Sequence, residues 1–396
     1  MKLTAPPEHI KTILERLASN GFDGYLVGGC VRDAVMDRPI RDWDITTSAT
    51  PADIALIFPK TVLTGEKFGT VTVVLQQCNV EVTTFRTESD YTDNRRPKIV
   101  EFVSNIEEDL SRRDFTMNAM AESITGELID PFNGAEDIKN KLIRCVGGPN
   151  TRFSEDALRM FRALRFSAVL DFSIENETLQ AIYANVNTAD KISSERIRSE
   201  LEKTLISNRP QIAGEMIKIG LLNKFMQISG KCPPGLEKIA ELPPETTLRW
   251  CAFCALLIEE KFIRSAPEFL HELHLDKKTI KTCERALKLF DTPADNSTIK
   301  HLLSKNDTDT VRCIAAISDM FGVGDTFTLE HTDEIISSGE CYSLETLAVS
   351  GRDLLEKGLL PGLEVGNILN KLLDHVIEHP QDNTQEKLFK LLSSIK

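Results

Sequence analysis

Strand-like patterning stops about a third of the way along this chain, and that constrains the fold more than any other feature. DGYLVGG, RDWDITT, GTVTVVLQQ and NVEVTTFR all lie in the first third of the 396 residues. They are rich in Val, Thr and aromatics at period two, with helical segments between them. From about Ser154 onward only helical periodicity is found, in SEDALRMFRALRFSAVL, SERIRSELEKTLI, PQIAGEMIKIGLLNKFM, TLRWCAFCALLIEEKF and GNILNKLLDHVIE. The expectation is α+β: a mixed α/β first third, then an all-α remainder. Helix breakers cluster at Pro233-Pro234, at Pro243-Pro244 and in DTPADNST at 291–298, marking joints between helical subdomains.

Composition narrows the function. A hydrophobic content of 41% supports buried cores and excludes a disordered or fibrous chain. Lys and Arg number 47 against 60 Asp and Glu, net −13, so the surface is no polybasic coat and a nucleic acid has to meet a local basic patch. The N-terminus is amphipathic and no run of 18 apolar residues follows, which predicts a soluble, unexported protein with no membrane partner. Nine scattered cysteines do not read as a disulfide framework and fit a reducing cytoplasm.

YLVGGCVRDAVMDRPIRDWDITTSATP reads as strand, Gly28-Gly29 turn, helix, and a second strand carrying Asp42 and Asp44 on either side of Trp43. Side chains two apart on a strand share a face, so the two carboxylates point together and repel. A bound divalent cation relieves that repulsion, and two hard cations about 3.5–4 Å apart stabilise the attacking and leaving oxygens of phosphoryl transfer. This is the layout of a nucleotidyltransferase. Gly28-Gly29 opens a helix start to an anion, and Arg32, one turn in, reaches the same phosphate; a triphosphate is the natural ligand. Taken singly, the same features also read as an exposed strand end and a sharp turn. Glu81 in NVEVTTFR is a third carboxylate one strand on, or an ordinary solvated Glu.

In SEDALRMFRALRF, Ser154 is placed to cap a helix with Glu155 and Asp156 in its first turn, and Glu155 pairs with Arg159 at i,i+4. Asp156 and Arg159, at i,i+3, also put an acceptor beside fixed donors. Cytosine shows an N4 amine beside N3 and adenine an N6 amine beside N1, so one carboxylate and one guanidinium pair with either. Guanine and uracil have the opposite polarity. Arg162 and Arg165 continue the row, with Leu158, Phe161 and Leu164 on the packed side, and point to an anion or to salt bridges into the first domain.

Four stretches in order, LVGGCVRD with DWD, RRDFTMNAMA, EDALRMFRALRF and ERIRSELEKTL, together resemble the class II tRNA nucleotidyltransferases, that is, the CCA-adding enzymes and their poly(A) polymerase relatives. They cover about the first 205 residues, and GLLPGLEVGNILNKLLDHVIEHP resembles the helical tail of the bacterial CCA-adding type. The resemblance implies a polymerase-β-like nucleotidyltransferase head with a mixed sheet (1–145), then an all-α neck that selects the base (146–207), a body (208–290) and a tRNA-binding tail (291–396). It implies stepwise addition of C, C and A to a tRNA 3′ end from CTP and ATP. Asp42 and Asp44 would hold Mg²⁺, and Arg112, Arg113 and Asp114 would lie near the ribose or phosphates, Arg113 foremost. The motif Glu155, Asp156, Arg159 would read the base, while Arg162 and Arg165 face the triphosphate or the primer end. The bland alternative for Arg112 and Arg113 is pairing with Glu107, Glu108 or Asp109. The oligomeric state is left open.

The remaining features divide simply. TESDYTDNRRP, between Arg86 and Lys98, reads as a mobile charged loop, with Asp93, Arg95 and Arg96 its working residues. In the resembling family a loop here serves addition of the terminal A. Glu195, Arg196 and Arg198 of SERIRSEL read as braces of the neck. Lys277, Lys278, Lys281, Arg285 and Lys288 form a basic helical stripe, a solvated surface or an RNA-backbone contact. Cys251 and Cys254 read as core, and His271 and His274 lack metal-site spacing. A poly(A) polymerase, an enzyme adding only the final A, and an inactive RNA-binding protein of the same fold are the competing readings.

Overall fold

Ile10, Ile13, Leu14 and Leu17 recur at helical spacing, and Glu8–Ser19 forms helix α1 with all four buried. The structure is a computed structural model that describes residues 6–75, 79–92, 96–291, 295–323, 328–357 and 363–395, with the side chains at 64, 90–92, 96–98, 363 and 393–395 outside the description. The chain divides into two compact units. One is Met1–Thr204 with Ile212–Lys224 and Ser229–Cys232; the other is Leu205–Gln211 with Phe225–Ile228 and Pro233–Lys396.

In the first unit β1 (Gly24–Val27), α2 (Gly29–Val35), β2 (Ile45–Thr47), α3 (Pro51–Ile57), β3 (Thr61–Gly65), β4 (Thr70–Val74) and β5 (Asn79–Thr84) follow in order. Thr50 and Asp53 form a reciprocal capping box at the start of α3, which fixes where the chain turns after β2. β6 (Arg86–Thr92), β7 (Arg96–Phe102), α4 (Ile106–Ser111), β8 (Ala121–Ser123), β9 (Leu128–Ile129) and α5 (Gly134–Lys139) complete the sheet region. The main sheet has seven strands in the order β3-β4-β5-β2-β1-β8-β9. β2 and β5 run parallel and the other pairs antiparallel, so the sheet is mixed. Val71 and Val73 of β4, and Val80, Val82 and Thr84 of β5, alternate inward, which turns Glu81 outward. Val27, Phe85, Ile106, Leu110, Ala119, Ala121 and Val146 form a buried cluster in this region.

β10 (Leu142–Ile143), α6 (Pro149–Glu155), α7 (Leu158–Leu170), β11 (Ser173–Ile174), α8 (Asn176–Asn185), α9 (Ser194–Leu205) and α10 (Ile212–Ile219) follow. Three expectations are corrected here. The strand after the glycine turn begins only at Ile45: Val27 N–H still bonds the Asp44 carbonyl at 3.1 Å, but β1 ends as Gly28 turns away at φ 77°, leaving no neighbour to pair Asp42. The charged segment after Arg86 is not a loop along its length, since β6 and β7 form an antiparallel hairpin with Arg86 opposite Phe102 and Thr92 opposite Arg96. Thr and Tyr on one strand and Ile and Val on the other supply the β-forming residues. Asp93 and Arg95 lie outside the described residues, as does the side chain of Arg96. Past Ser154 the chain is not wholly helical either, because β11 pairs parallel with β10.

The second unit is helical: α11 (Thr246–Glu259), α12 (Ala266–Glu272), α13 (Lys277–Leu289), α14 (Asn296–Lys305), α15 (Thr308–Phe321), α16 (Leu329–Ser337), α17 (Gly351–Glu356), α18 (Leu363–Glu378) and α19 (Gln385–Ile395). α11, α13 and α15 pack on one another, and Trp250, Phe253 and Phe269 meet in their core. Cys251 and Cys254 are buried there, with Cys283 and Cys313 beside Cys251, as packed thiols. Arg249 is 3% exposed and donates to the carbonyls of Leu205, Ser207, Ala240, Leu242 and Pro243, which tethers the loop before α11. Val349, Leu354, Leu372, Leu373, Val376 and Leu388 centre a separate core of α17, α18 and α19. The stripe on α13 is exposed as a row, but Lys278 pairs with Asp309, Arg285 with Asp307 and Lys288 with Glu284. No helix among the described residues is long and apolar enough to cross a membrane.

Glu122 of β8 is 6% exposed and stands opposite Leu26. Burial raises its carboxyl from 4.5 to about 7. A folded-state value above the unfolded one means that its contribution to stability is intact below pH 4.5 and lost as pH rises toward about 7. Glu122→Gln should flatten that window, and in urea unfolding at pH 8 should be more stable than the parent by about 1–3 kcal/mol.

Candidate active site

A cleft of about 1000 Å³ lies in the first unit, lined by Gly28, Gly29 and Arg32, by Asp42 and Asp44, by Arg112, Arg113 and Asp114, and by Asp156, Arg159, Arg162 and Arg165. The chain carries −13, yet this cleft gathers ten Arg and Lys side chains against five Asp. Its field therefore favours an anion. Of the residues that the sequence assigns to catalysis or nucleotide binding, Glu155 and Glu81 are not in its lining. Glu155 sits behind it, bonded to Arg152 and Arg159. Glu81 lines a smaller adjoining cavity of about 150 Å³, which it shares with Asp44, Arg112 and Arg113.

At the carboxylate end, Gly28 has φ 77°, and a Cβ there would lie 3.2 Å from Arg113 Nη1 and 3.9 Å from Asp44 Oδ2. Glycine thus supplies both the backbone conformation and the room that the Arg113 guanidinium and the Asp44 carboxylate occupy beside the turn. Its N–H donates to the Met120 carbonyl at 3.3 Å, so Gly28 offers space to a ligand rather than that donor. Asp44 retains water access, but surrounding protein desolvates it and raises its carboxyl pKa; Arg113 partly offsets this, while Glu81 and Asp42 add repulsion. The donors are all oxygens, the set that suits a hard cation such as Mg²⁺, and their unrelieved repulsion fits one. Among the described residues, no three His, Cys, Asp or Glu side chains converge closely enough to hold an ion unaided.

The inner arginines are all held by carboxylates. Arg32 bonds Asp33 and Asn118, each at 2.8 Å. Arg112 and Arg113 share the fully buried Asp109 at 2.7 and 3.1 Å, and Arg112 also reaches Glu88. Burial works to raise the Asp109 carboxyl, but Arg113 and Arg112 outweigh it and hold the group below its ordinary value. Of the acids expected to pair with these arginines, Asp109 is the one that does, and Arg113 Nε is left buried without a hydrogen-bond partner. Asp114 bonds Arg162 at 2.6 Å and Asn118 at 3.2 Å; against the upward push of burial, chiefly Arg162 and Asn118 bring its carboxyl to about 2.

Phe166, 4% exposed, lies under this charge. The guanidinium of Arg165 is 3.7 Å from its ring centroid, with those of Arg32 and Arg162 at 5.3 and 5.4 Å. Phe115 meets its ring edge-on at 5.8 Å, and Arg165 is also tied to Glu200 at 2.5 Å.

The helix expected from Ser154 is two helices. α6 ends at Glu155, Asp156 is extended at φ −141°, and α7 begins at Leu158. Ser154 lies inside α6 and bonds back to the Thr151 carbonyl, while the Asp156 side chain accepts from Leu158 N–H at 3.1 Å. The break frees the Asp156 carboxylate to meet Arg196 of α9 in a two-pronged pair at 3.1 and 2.7 Å. Arg159 is fixed by Glu155 at 2.5 Å and by the Arg112 carbonyl at 3.0 Å. Asp156 and Arg159 both face the cleft, though not from one helix face. Sequence reasoning read Arg196 as a brace, whereas it lines the cleft as well as bracing. It passed over Phe166, Arg38, Arg41 and Lys203; the signal for Phe166 was an aromatic at i+1 from Arg165 and i+4 from Arg162.

Residues 24–144 match the Poly A polymerase head domain, and residues 243–392 match tRNA nucleotidyltransferase domain 2. The CCA-adding enzyme of Lactobacillus helveticus is 37% identical over 385 residues, covering 97% of this chain and 96% of that one. The chain belongs to the CCA-adding enzymes. That of a Geobacillus species is 38% identical over 393 residues, covering 96% of this chain and 95% of its own. The crystal structure of the Bacillus stearothermophilus CCA-adding enzyme in complex with CTP superposes with a TM-score of 0.76 at 33% identity, covering 97% of this chain and 96% of that one. The family consists of nucleotidyltransferases, a generally metal-dependent class. The head-domain match takes in the glycine turn, the carboxylates and Asp114, whereas Asp156, between α6 and α7, and Arg159, Arg162 and Arg165 of α7 lie beyond it.

Because Asp114 fastens α7 to the segment before β8, Asp114→Asn leaves a mostly buried guanidinium short of its counter-charge. A loss of about 2 kcal/mol is expected in urea unfolding at pH 7.

Proposed function

We propose that this chain adds C, C and then A to the 3′ end of tRNA, without a nucleic-acid template, consuming CTP and ATP and releasing pyrophosphate. The observation that carries this is one cleft uniting the Asp42–Asp44 pair, a row of arginines and the Asp156–Arg159 pair, in a chain that aligns along nearly its whole length with CCA-adding enzymes. In this reading residues 1–145 are the catalytic head, 146–207 the neck that selects the base, 208–290 the body and 291–396 the tail that meets tRNA, and the enzyme works in the cytoplasm.

Asp42 and Asp44 are the residues that would hold Mg²⁺, with Glu81 adding negative charge from the adjoining cavity. Bound there, Mg²⁺ supplies Lewis acidity at the α-phosphate and acidifies the attacking 3′-OH. Arg113, poised between Asp109 and Asp44, balances the carboxylate charge and lies within reach of the sugar or phosphates. Arg32, Arg162 and Arg165, spaced around Phe166, face the triphosphate and the charge that builds on the departing pyrophosphate. They are already oriented by Asp33, Asp114 and Glu200, so little reorganisation is needed as the bond breaks.

Base choice falls to Asp156 and Arg159. The carboxylate accepts from cytosine N4 or adenine N6, and the guanidinium donates to N3 or N1. A carboxylate offers about four acceptor sites, so the two bonds from Arg196 and the one from Leu158 leave room for a base amine. Glu155 sets the angle of the Arg159 fork from behind the cleft.

The test is incorporation of each labelled nucleotide, with Mg²⁺, into tRNA lacking CCA, tRNA ending in CC and an unstructured RNA. C, C and A on the first substrate is the expected result. A on the CC-ended tRNA alone, or long A tails on the unstructured RNA, would replace it with a narrower or a polymerising activity. Asp42→Ala should abolish incorporation and keep tRNA binding; near-normal turnover would remove Asp42 from the metal site. Asp156→Ala combined with Arg159→Ala should admit UTP and GTP, read as a loss of the CTP/UTP ratio of kcat/KM by about tenfold or more.

A further inference from the structure

The cleft's cations fall into two classes. Arg32, Arg112, Arg113, Arg159, Arg162, Arg165 and Arg196 each pair with a carboxylate and are at least partly withdrawn from solvent. Arg38, Arg41 and Lys203 line the same cleft, are exposed, and have no ion-pair partner among the described residues. The contrast lies within the cleft itself: its inner arginines are spent on carboxylates and its three exposed rim cations are not. We propose that Arg38, Arg41 and Lys203 form the track for the backbone phosphates of the RNA strand whose 3′ end is extended. This rests on the function proposed above.

Placement and charge both support that assignment. Arg41 immediately precedes Asp42, so the track begins at the carboxylates where the 3′-OH has to arrive. Lys203 stands two turns along α9 from Arg196, with Glu200 between them on the face turned to the cleft, and Glu200 is spent on Arg165. A nucleotide is small and enters the cleft whole, where the paired arginines are already aimed. A primer strand runs on from the reacting end to solvent, so its phosphates pass the rim. Cations on such a path gain by staying unpaired, because each phosphate contact then releases a counterion instead of breaking an ion pair. Phosphate contacts of this sort hold position without reading sequence, which suits a strand whose last residues change as synthesis proceeds.

The full-length chain carrying Arg38→Ser, Arg41→Ser and Lys203→Ser tests this, its fold checked by thermal melting, since all three side chains are exposed. Binding of labelled tRNA lacking CCA is measured by fluorescence anisotropy without nucleotide over a range of KCl, and steady-state constants are measured separately for tRNA and CTP. The expected result is a weakening of tRNA binding by roughly tenfold or more, with the slope of log K against log salt falling by about two. KM for tRNA should rise in step while KM for CTP at saturating tRNA stays within about twofold, and Arg38→Lys with Arg41→Lys should retain most of the binding. A rise in KM for CTP with unchanged tRNA binding would overturn the proposal by placing these cations on the triphosphate, and unchanged constants throughout would overturn it outright. The binding arm does not depend on catalysis. If the parent chain bound tRNA through these residues but incorporated nothing, the catalytic reading would fail and the track would stand.

Discussion

The ion pair between Asp114 and Arg162 is the interaction on which the site depends. It is a 2.6 Å contact that fastens α7, with its row of arginines, to the segment leading into β8. Asp114 also binds Asn118, and Asn118 accepts from Arg32 at the start of α2. One carboxylate thus ties together the glycine turn, the stretch around Arg113 and the arginine helix, three regions far apart in sequence. Such a pair is costly to bury, and its net worth to stability is modest compared with replacing both partners by apolar groups. What it provides is a fixed geometry for charges that would otherwise repel.

Repulsion among the arginines is handled in the same way throughout. Asp109, buried beneath Arg112 and Arg113, serves two guanidiniums, and Glu200 takes Arg165. Phe166 adds a partner with no formal charge, its ring face being attractive to cations that lie near one another. At the carboxylate end the balance tips the other way. Burial holds the Asp44 carboxyl up, Arg113 opposes it, and Glu81 and Asp42 add repulsion, so negative charge there stays incompletely balanced. The cleft is neutralised where it has to be rigid and left unbalanced where a ligand arrives.

Much of this was legible in the sequence because it rests on local chemistry. The Gly28-Gly29 turn with Arg32 one helical turn on, carboxylates two apart, and alternating Val in β4 and β5 are features that spacing reports directly. The helix break at Asp156 was not, since SEDALRMFRALRF has good helical propensity and no Gly or Pro inside it. What breaks it is a tertiary partner: Arg196, forty residues on, takes the carboxylate in a geometry that a continuous helix would not present. The β6–β7 hairpin escaped for a related reason, its polar composition masking a register that only pairing defines. Asp109 was one of three acids in a row, and nothing in the sequence distinguishes the one that folds inward.

The net charge of the chain acquires a role in this light. Since the cleft holds more cations than anions, the remaining surface is more acidic still than −13 implies. Counterion release, the main source of nonspecific affinity, is favoured where positive charge has been concentrated. An enzyme that reads a base with protein side chains has little sequence to check in its primer, so its discrimination among RNAs has to come from shape and from where binding is permitted. A cleft that gathers ten cations against five carboxylates, seven of the cations paired and three exposed at its rim, supplies fixed and accessible positive charge in a single electrostatic arrangement.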